Sequence, residues 1–419
     1  MSQQTILKIN GDRLVDRLKC LGQVGSLDGG GVSRLALTTA DREGRDLVVS
    51  WMEQLGMTVS IDQIGNIIAT RQGADQNAAP VMTGSHIDTV RTGGLYDGNL
   101  GVLAGLEVVE CLNELDIKTR HPIAVAVFTN EEGARFSPDM MGSLVYVGGM
   151  PLAEALDTVG IDGKTVRECL NEIGYAGTSK ISTPSVHAFL ELHIEQGPVL
   201  DEEQVQIGVV EEVQGISWTE YTFEGVSNHA GTTPMRLRKD AGFAAMSVAN
   251  HVRELAIKMG GNQVGTVGFI EIKPNLVNVV PNFARITVDL RNTDEKLLQL
   301  AESNLTDFID SICSKEKLKV SSKTLARFEP VNFEPSLVDR VEQTAKSFGY
   351  SSMRIPSGAG HDAQMLARIC PSAMIFVPSK KGISHNIKEF TAPEDLCRGA
   401  DILLSLMLDL AIQERSDVL

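Results

Sequence analysis

Side chains able to ligate a cation or move a proton gather in a few short segments. In Gly84-Ser85-His86-Ile87-Asp88-Thr89 an imidazole and a carboxylate stand two positions apart. On a strand such positions face the same way, so Asp88 is expected to hydrogen-bond His86 and orient it as a ligand. Gly93-Gly94-Leu95-Tyr96-Asp97-Gly98-Asn99 is a glycine-rich turn leading into a helix. Taken alone, Asp97 there reads as a turn or capping carboxylate. Phe128-Thr129-Asn130-Glu131-Glu132-Gly133 sets two adjacent carboxylates directly after an apolar run. Neighbouring carboxylates repel unless a cation or proton neutralises them, although a solvated acidic turn has the same composition. Two further histidines, His193 in Leu192-His193-Ile194-Glu195-Gln196-Gly197 and His385 in Ile383-Ser384-His385-Asn386, complete the set. Each alone reads as a core histidine satisfied by a carbonyl.

Together these residues say more than any one of them. Three histidines, an aspartate and a glutamate offer nitrogen and oxygen donors suited to Zn²⁺ or a similar borderline ion. A second glutamate beside a ligand glutamate supplies what a metal-activated water needs as proton acceptor.

The elements that must carry these segments follow from the hydrophobic pattern. Gln72–Pro80 reads as a surface loop before a short strand, Val81–Thr83. A helix follows Asn99, and Ile123–Phe128 is a continuous apolar run, as in a strand buried on both faces. Leu190, Leu192 and Ile194 alternate with Glu191, His193 and Glu195, which predicts a half-buried strand with His193 on its polar face. From about Gly215 the order changes to strand (217–224), helix (239–259), strands (266–272 and 284–291), helix (295–314) and strand (319–325), an α+β unit. The α/β pattern then resumes, with a strand at 374–377 and a final helix at 393–412. The reading is an α/β domain of residues 1–213 and 329–419, interrupted by an inserted α+β domain of residues 214–328.

Composition narrows the function class. The 419 residues are 42% hydrophobic and 22% charged, ordinary globular material long enough for two domains. A formal net charge of −16 argues against nucleic acid as partner, because there is no basic excess to displace counterions from phosphates. The 6 cysteines are scattered and form no C-x-x-C pair, so neither a disulfide framework nor a thiolate zinc site is expected. The opening MSQQTILKINGDRL lacks a signal peptide's apolar run, and no stretch approaches a membrane span. A soluble, cytoplasmic protein with no membrane partner is expected.

GSHIDT, GGLYDG, FTNEEGARF, ELHIEQGPVL, NHAGTTPM, NVVPN, DLRNTD, PSGAGHDA and GISHN follow one another in this order. In this the chain resembles, over nearly its whole length, the bacterial N-carbamoyl-L-amino-acid hydrolases and their relatives, allantoate amidohydrolase and β-ureidopropionase. These are dinuclear-metal amidohydrolases related to aminoacylases and carboxypeptidases. The resemblance implies a mixed-sheet, zinc-exopeptidase-like α/β catalytic domain whose inserted α+β domain forms a homodimer. It implies two divalent ions per subunit, zinc foremost, with manganese, cobalt or nickel as alternatives. Asp97 would bridge them; His86 and His193 would complete one site, Glu132 and His385 the other. Glu131 would be the general base and acid, with Asp88 behind His86.

For a small carboxylate-bearing substrate, the resemblance implies that Gln196 contacts the ureido or amide group and that Asn278 and Arg291 hold the carboxylate. His229 would reach into the neighbouring subunit's site to stabilise the oxyanion. Gly360 and His361 would contribute backbone N–H groups and a second imidazole. The plain alternative for Arg291 is a surface ion pair with Asp289, and for His229 simple exposure. Hydrolysis of an N-carbamoyl-L-amino acid to amino acid, ammonia and carbon dioxide is the activity implied. Allantoate hydrolysis is the runner-up, a dipeptidase or aminoacylase a weaker choice, and an inactive metal-binding paralogue the non-enzyme alternative. The intact Glu131 speaks against the last.

Overall fold

The computed structural model describes residues 7–180 and 185–412. Residues 1–6, on which part of the no-leader expectation rests, lie outside the described residues. No helix among the described residues is long and apolar enough to cross a membrane. The chain divides into two compact units, one of residues 1–211 and 332–419, the other Glu212–Val331.

The first unit is built on a nine-stranded mixed sheet. Its strands β1 (Thr58–Ile61), β2 (Ile67–Arg71), β3 (Val81–His86), β4 (Ile123–Phe128) and β5 (Ala188–Ile194) lie in the order β1-β2-β4-β3-β5, followed by Ser372–Val377 and Ile207–Val213. The four strands β4, β3, β5 and Ser372–Val377 run parallel. Every residue of these four strands is buried. A parallel strand covered on both faces has no solvated side to carry polar residues, hence the unbroken apolar run of β4. Each large apolar side chain so buried contributes about 1.5–3 kcal/mol.

β5 departs from the half-buried strand that its alternation predicts. Its polar positions are also interior: Glu191 accepts hydrogen bonds from Ser85 Oγ (2.7 Å) and Ala363 N (2.8 Å). Alternation here separates a greasy face from an internal polar one, not from water. The helix Asn99–Glu114 packs against β3, β4 and β5 and is buried along most of its length. Its single interior charge, Glu107, receives a forked pair from Arg13 (Nε 2.7 Å, Nη2 2.8 Å), which ties the helix Gly11–Gln23 to it.

The second unit is a four-stranded antiparallel sheet, in the order Lys319–Phe328, Gly215–Glu224, Phe283–Asn292, Val264–Lys273. Along Phe283–Asn292 every second residue is buried, and Ala284, Ile286, Val288 and Leu290 share a core with helices Ala241–Met259 and Glu295–Glu316. That alternation leaves Asp289 and Arg291 on the other face of the sheet.

Candidate metal centre

The four parallel strands all end toward one edge, and the chemistry sits there. His86 closes β3, Glu131 and Glu132 follow β4, His193 lies one residue from the end of β5, and His385 follows Ser372–Val377. In open α/β sheets this carboxyl edge is where ligands bind. Asp97 comes from the turn ahead of the Asn99–Glu114 helix, whose N-cap Gly98 has φ +66°. A Cβ at Gly98 would overlap the His86 ring, so glycine is required both by the backbone and by the imidazole beside it.

Asp97 stands between two donor groups. Its Oδ1 lies 3.3 Å from His193 Nε2 and 3.8 Å from His86 Nε2. Its Oδ2 lies 3.4 Å from His385 Nε2, which is 3.2 Å from Glu132 Oε2. Within each trio, His86–Asp97–His193 and Asp97–Glu132–His385, all ligand atoms fall within 4.8 Å of one another. Bonds of about 2.0–2.2 Å at a tetrahedral ion place neighbouring donors roughly 3.3–3.6 Å apart. The residues therefore fit a pair of divalent ions sharing one carboxylate, with no thiolate among them.

The electrostatics point the same way. Burial alone would push the Asp97 carboxyl up, but hydrogen bonds with His193 and His385 outweigh it and hold the group well below the usual carboxylate range. His193 is opposed by burial yet raised to about 9 by Asp97, and His385 is raised to about 11 by Asp97 and Glu132. The negative field that holds protons on these imidazoles is the field a cation would meet, and binding one would release those protons.

Glu131 lies beside both trios, with Oε2 3.2 Å from His86 Nε2. Burial, followed by the charges of Asp362, Glu132, Asp88 and Asp97, lifts its carboxyl well above the ordinary value. A shift in this direction favours the protonated carboxyl, the form a general acid–base passes through when it takes up a proton. Asp88 acts differently from the sequence expectation. His86 Nδ1 meets the main-chain carbonyl of Asp88 (2.9 Å), while the Asp88 carboxylate accepts from Glu131 N (3.2 Å) and Glu132 N (3.3 Å). The strand ends at His86, so the same-face rule no longer applies two residues on.

Gln196 adopts φ +58° and donates from Nε2 to Asp97 Oδ2 (2.8 Å), while its side-chain Oε1 is buried without a hydrogen-bond partner. Gly360 packs against Met140. His361 is buried rather than presented on a loop: Nε2 meets Ser357 Oγ at 2.9 Å, and its ring stands edge-on to His193 with centroids 4.6 Å apart. Burial and then the His193 charge hold it well below the ordinary histidine value, which favours the neutral imidazole. A third grouping, Glu191–His193–His361, shares His193 with the first trio. Both Glu191 oxygens are already engaged, which makes it part of the wall.

Sequence reasoning missed Glu389. This buried carboxylate accepts from Tyr96 N, Asp97 N and Ser384 Oγ, and burial, then the Asp97 charge, lifts it to about 7. The residues around it are mostly exposed or half-buried, so no local sequence signal sets Glu389 apart from a solvated carboxylate.

His229, Asn278 and Arg291 belong to the second unit. His229 and Val279 pair across a two-stranded ribbon, and Ala230 N donates to the Asn278 carbonyl (2.9 Å), so the first two residues are neighbours. His229 is exposed, and its Nδ1 accepts from Gly231 N (3.0 Å) and Thr232 N (3.3 Å), which leaves Nε2–H as the donor. Arg291 is forked onto Asp289 (Nε–Oδ1 3.0 Å, Nη2–Oδ2 2.9 Å) and lies over the Trp218 ring at 5.5 Å. The ion pair weighed as the plain alternative is thus present.

Residues 82–409 match the family described as Peptidase family M20/M25/M40. The chain is 41% identical over 404 residues to an N-carbamoyl-L-amino-acid amidohydrolase of Rhizobium meliloti, covering 96% of this chain and 97% of that one. It is 34% identical over 392 residues to a ureidoglycolate hydrolase of Arabidopsis thaliana, covering 91% of this chain and 82% of that one. Among solved structures it is similar to an amidase of the hydantoinase/carbamoylase family from Burkholderia multivorans. That match has a TM-score of 0.92 at 43% identity and covers 97% of this chain and 99% of that one.

Proposed function

Since the chain belongs to peptidase family M20/M25/M40, and within it to the hydantoinase/carbamoylase amidohydrolases that act on C–N bonds, we propose that it hydrolyses an N-carbamoyl-L-amino acid. One water and one ureido acid give the amino acid, ammonia and carbon dioxide. The observation that carries the ureido reading is the orphaned Gln196 Oε1. With Nε2 committed to Asp97, this buried oxygen needs an N–H donor, which a carbamoyl –NH₂ supplies and an acyl methyl does not. A second reading, hydrolysis of another ureido acid such as allantoate or ureidoglycolate, draws on the similarity to the Arabidopsis enzyme.

His86 and His193 would hold one divalent ion, Glu132 and His385 a second, with Asp97 shared; zinc suits this donor set best, and manganese, cobalt and nickel also accept it. When bound, such a pair supplies Lewis-acid polarisation of the carbonyl and lowers the pKa of a water. Glu131 takes the proton of the attacking water and returns it to the departing nitrogen. Asp88, through the Glu131 and Glu132 amides, fixes where those two carboxylates begin. Arg291 and Asn278 would bind the substrate carboxylate, which competes with Asp289 for the guanidinium fork. After metal reconstitution, a panel of N-carbamoyl-L- and D-amino acids, β-ureidopropionate, allantoate, ureidoglycolate and N-acetyl-amino acids tests the assignment. The expected ranking puts an N-carbamoyl-L-amino acid first by kcat/KM. Equal turnover of N-acetyl substrates would remove Gln196 from recognition, and preference for allantoate would replace the primary reading.

The inserted domain is proposed as a homodimer contact, with His229 serving the partner's site through Nε2–H. Supporting this, Val264–Lys273 is an edge strand carrying exposed Phe269 and Ile270, and the helix Ala241–Met259 exposes Phe243 and Met246. Co-expressed His229→Ala and Glu131→Gln chains, each inactive alone, should together regain about a quarter of wild-type activity, from one intact site in each heterodimer of a statistical mix. Continued inactivity of isolated heterodimers would exclude a shared site.

A further inference from the structure

Two of the segments that meet at Asp97 are remote in sequence: the glycine-rich turn carrying Asp97 itself, and the loop carrying Ser384 and His385. Glu389 hydrogen-bonds both of them. Glu389 Oε1 accepts from Tyr96 N (3.0 Å) and Asp97 N (3.3 Å), and Oε2 lies 3.0 Å from Ser384 Oγ. The adjacent Phe390 ring meets Tyr96 edge-on at 6.5 Å, a second contact between the same two segments. Room for the carboxylate comes from Gly94, where any Cβ would overlap it.

Ser384 Oγ is also 3.0 Å from Asp97 Oδ2. A hydroxyl carries one proton and can satisfy only one of the two carboxylates at a time. Asp97 Oδ2 already accepts from Gln196 Nε2 (2.8 Å), which frees the Ser384 proton for Glu389.

We propose that Glu389 is a positioning residue, whose carboxylate clamps the Asp97 turn to the Ser384–His385 loop and so sets the Asp97–His385 spacing on which the second donor trio depends. The proposal rests on the reading that Asp97, Glu132 and His385 hold a divalent ion, and the experiment separates the two. Metal-free wild-type protein, Glu389→Gln and Gly94→Ala are titrated with Zn²⁺ by calorimetry, with melting temperatures recorded in parallel. Glu389→Gln keeps the shape but exchanges one acceptor oxygen for a donor; Gly94→Ala displaces the carboxylate while leaving it intact.

Both variants should bind one Zn²⁺ as wild type does and the second about 10–100-fold more weakly. At metal concentrations that fill both sites, KM should stay near the wild-type value while kcat falls. A merely structural glutamate would lower the melting temperature of the metal-free protein and leave Zn²⁺ affinity alone. Wild-type Zn²⁺ affinity in both variants overturns the proposal, whereas wild-type protein that binds no Zn²⁺ overturns the metal centre instead. Should Glu389→Gln fail to fold, Ser384→Ala decides, since it removes one of the three donors and should weaken the same site to a lesser degree.

Discussion

Glu131→Gln keeps both metals and loses turnover by about 10²–10⁴-fold, the range that a positioned acid–base contributes. The amide occupies the same volume, so the hydrogen bonds from the Glu131 and Glu132 amides to Asp88 remain and the donor trios are undisturbed. What disappears is the ability to accept a proton, for which burial and four neighbouring carboxylates have prepared the native side chain. Metal analysis and kcat on the same preparation check this. A near-wild-type kcat removes Glu131 from proton transfer, and loss of an ion would make it a ligand.

Asp97→Ala is expected to lose both metals and all measurable turnover. Asp97 is the carboxylate common to both trios, with one oxygen toward His86 and His193 and the other toward His385. Wild-type protein gains about 2.7 kcal/mol of stability at metal concentrations a hundredfold above Kd, read as a rise in melting temperature. Asp97→Ala should show no such rise over the same Zn²⁺ range. A wild-type-like thermal response in the variant would contradict the shared-carboxylate arrangement, because each trio would then bind without it.

Much of this organisation is legible in the chain because it is local. Ile123–Phe128 and the helix Pro393–Ile412 have the bounds that their apolar runs predict. The motif-bearing residues His86, Asp97, Glu132, His193 and His385 converge because each lies at the end of, or in a loop adjoining, an element the hydrophobic pattern identifies. What escaped depends on distance. Glu389 is defined by Asp97 N, 292 positions away, and Glu191 by Ser85 and Ala363, 106 and 172 positions away. Composition cannot pair groups so far apart. The alternation in β5 misleads for the same reason, since polar residues that find internal partners look, in sequence, like residues facing water. Asp88 lies beyond His86, the strand's last residue, where the same-face rule no longer holds.

The topology also dictates when the centre can be completed during synthesis. His86, Asp97, Glu132 and His193 all precede the interposed unit Glu212–Val331, whereas His385 follows it. At ribosomal speeds the stretch from His193 to His385 takes roughly 10–40 s to make. Throughout that interval the nascent polypeptide holds one full trio and only two members of the other. If the two trios each hold an ion as proposed, an unfinished chain has donors for one, and the second site waits on the synthesis of His385.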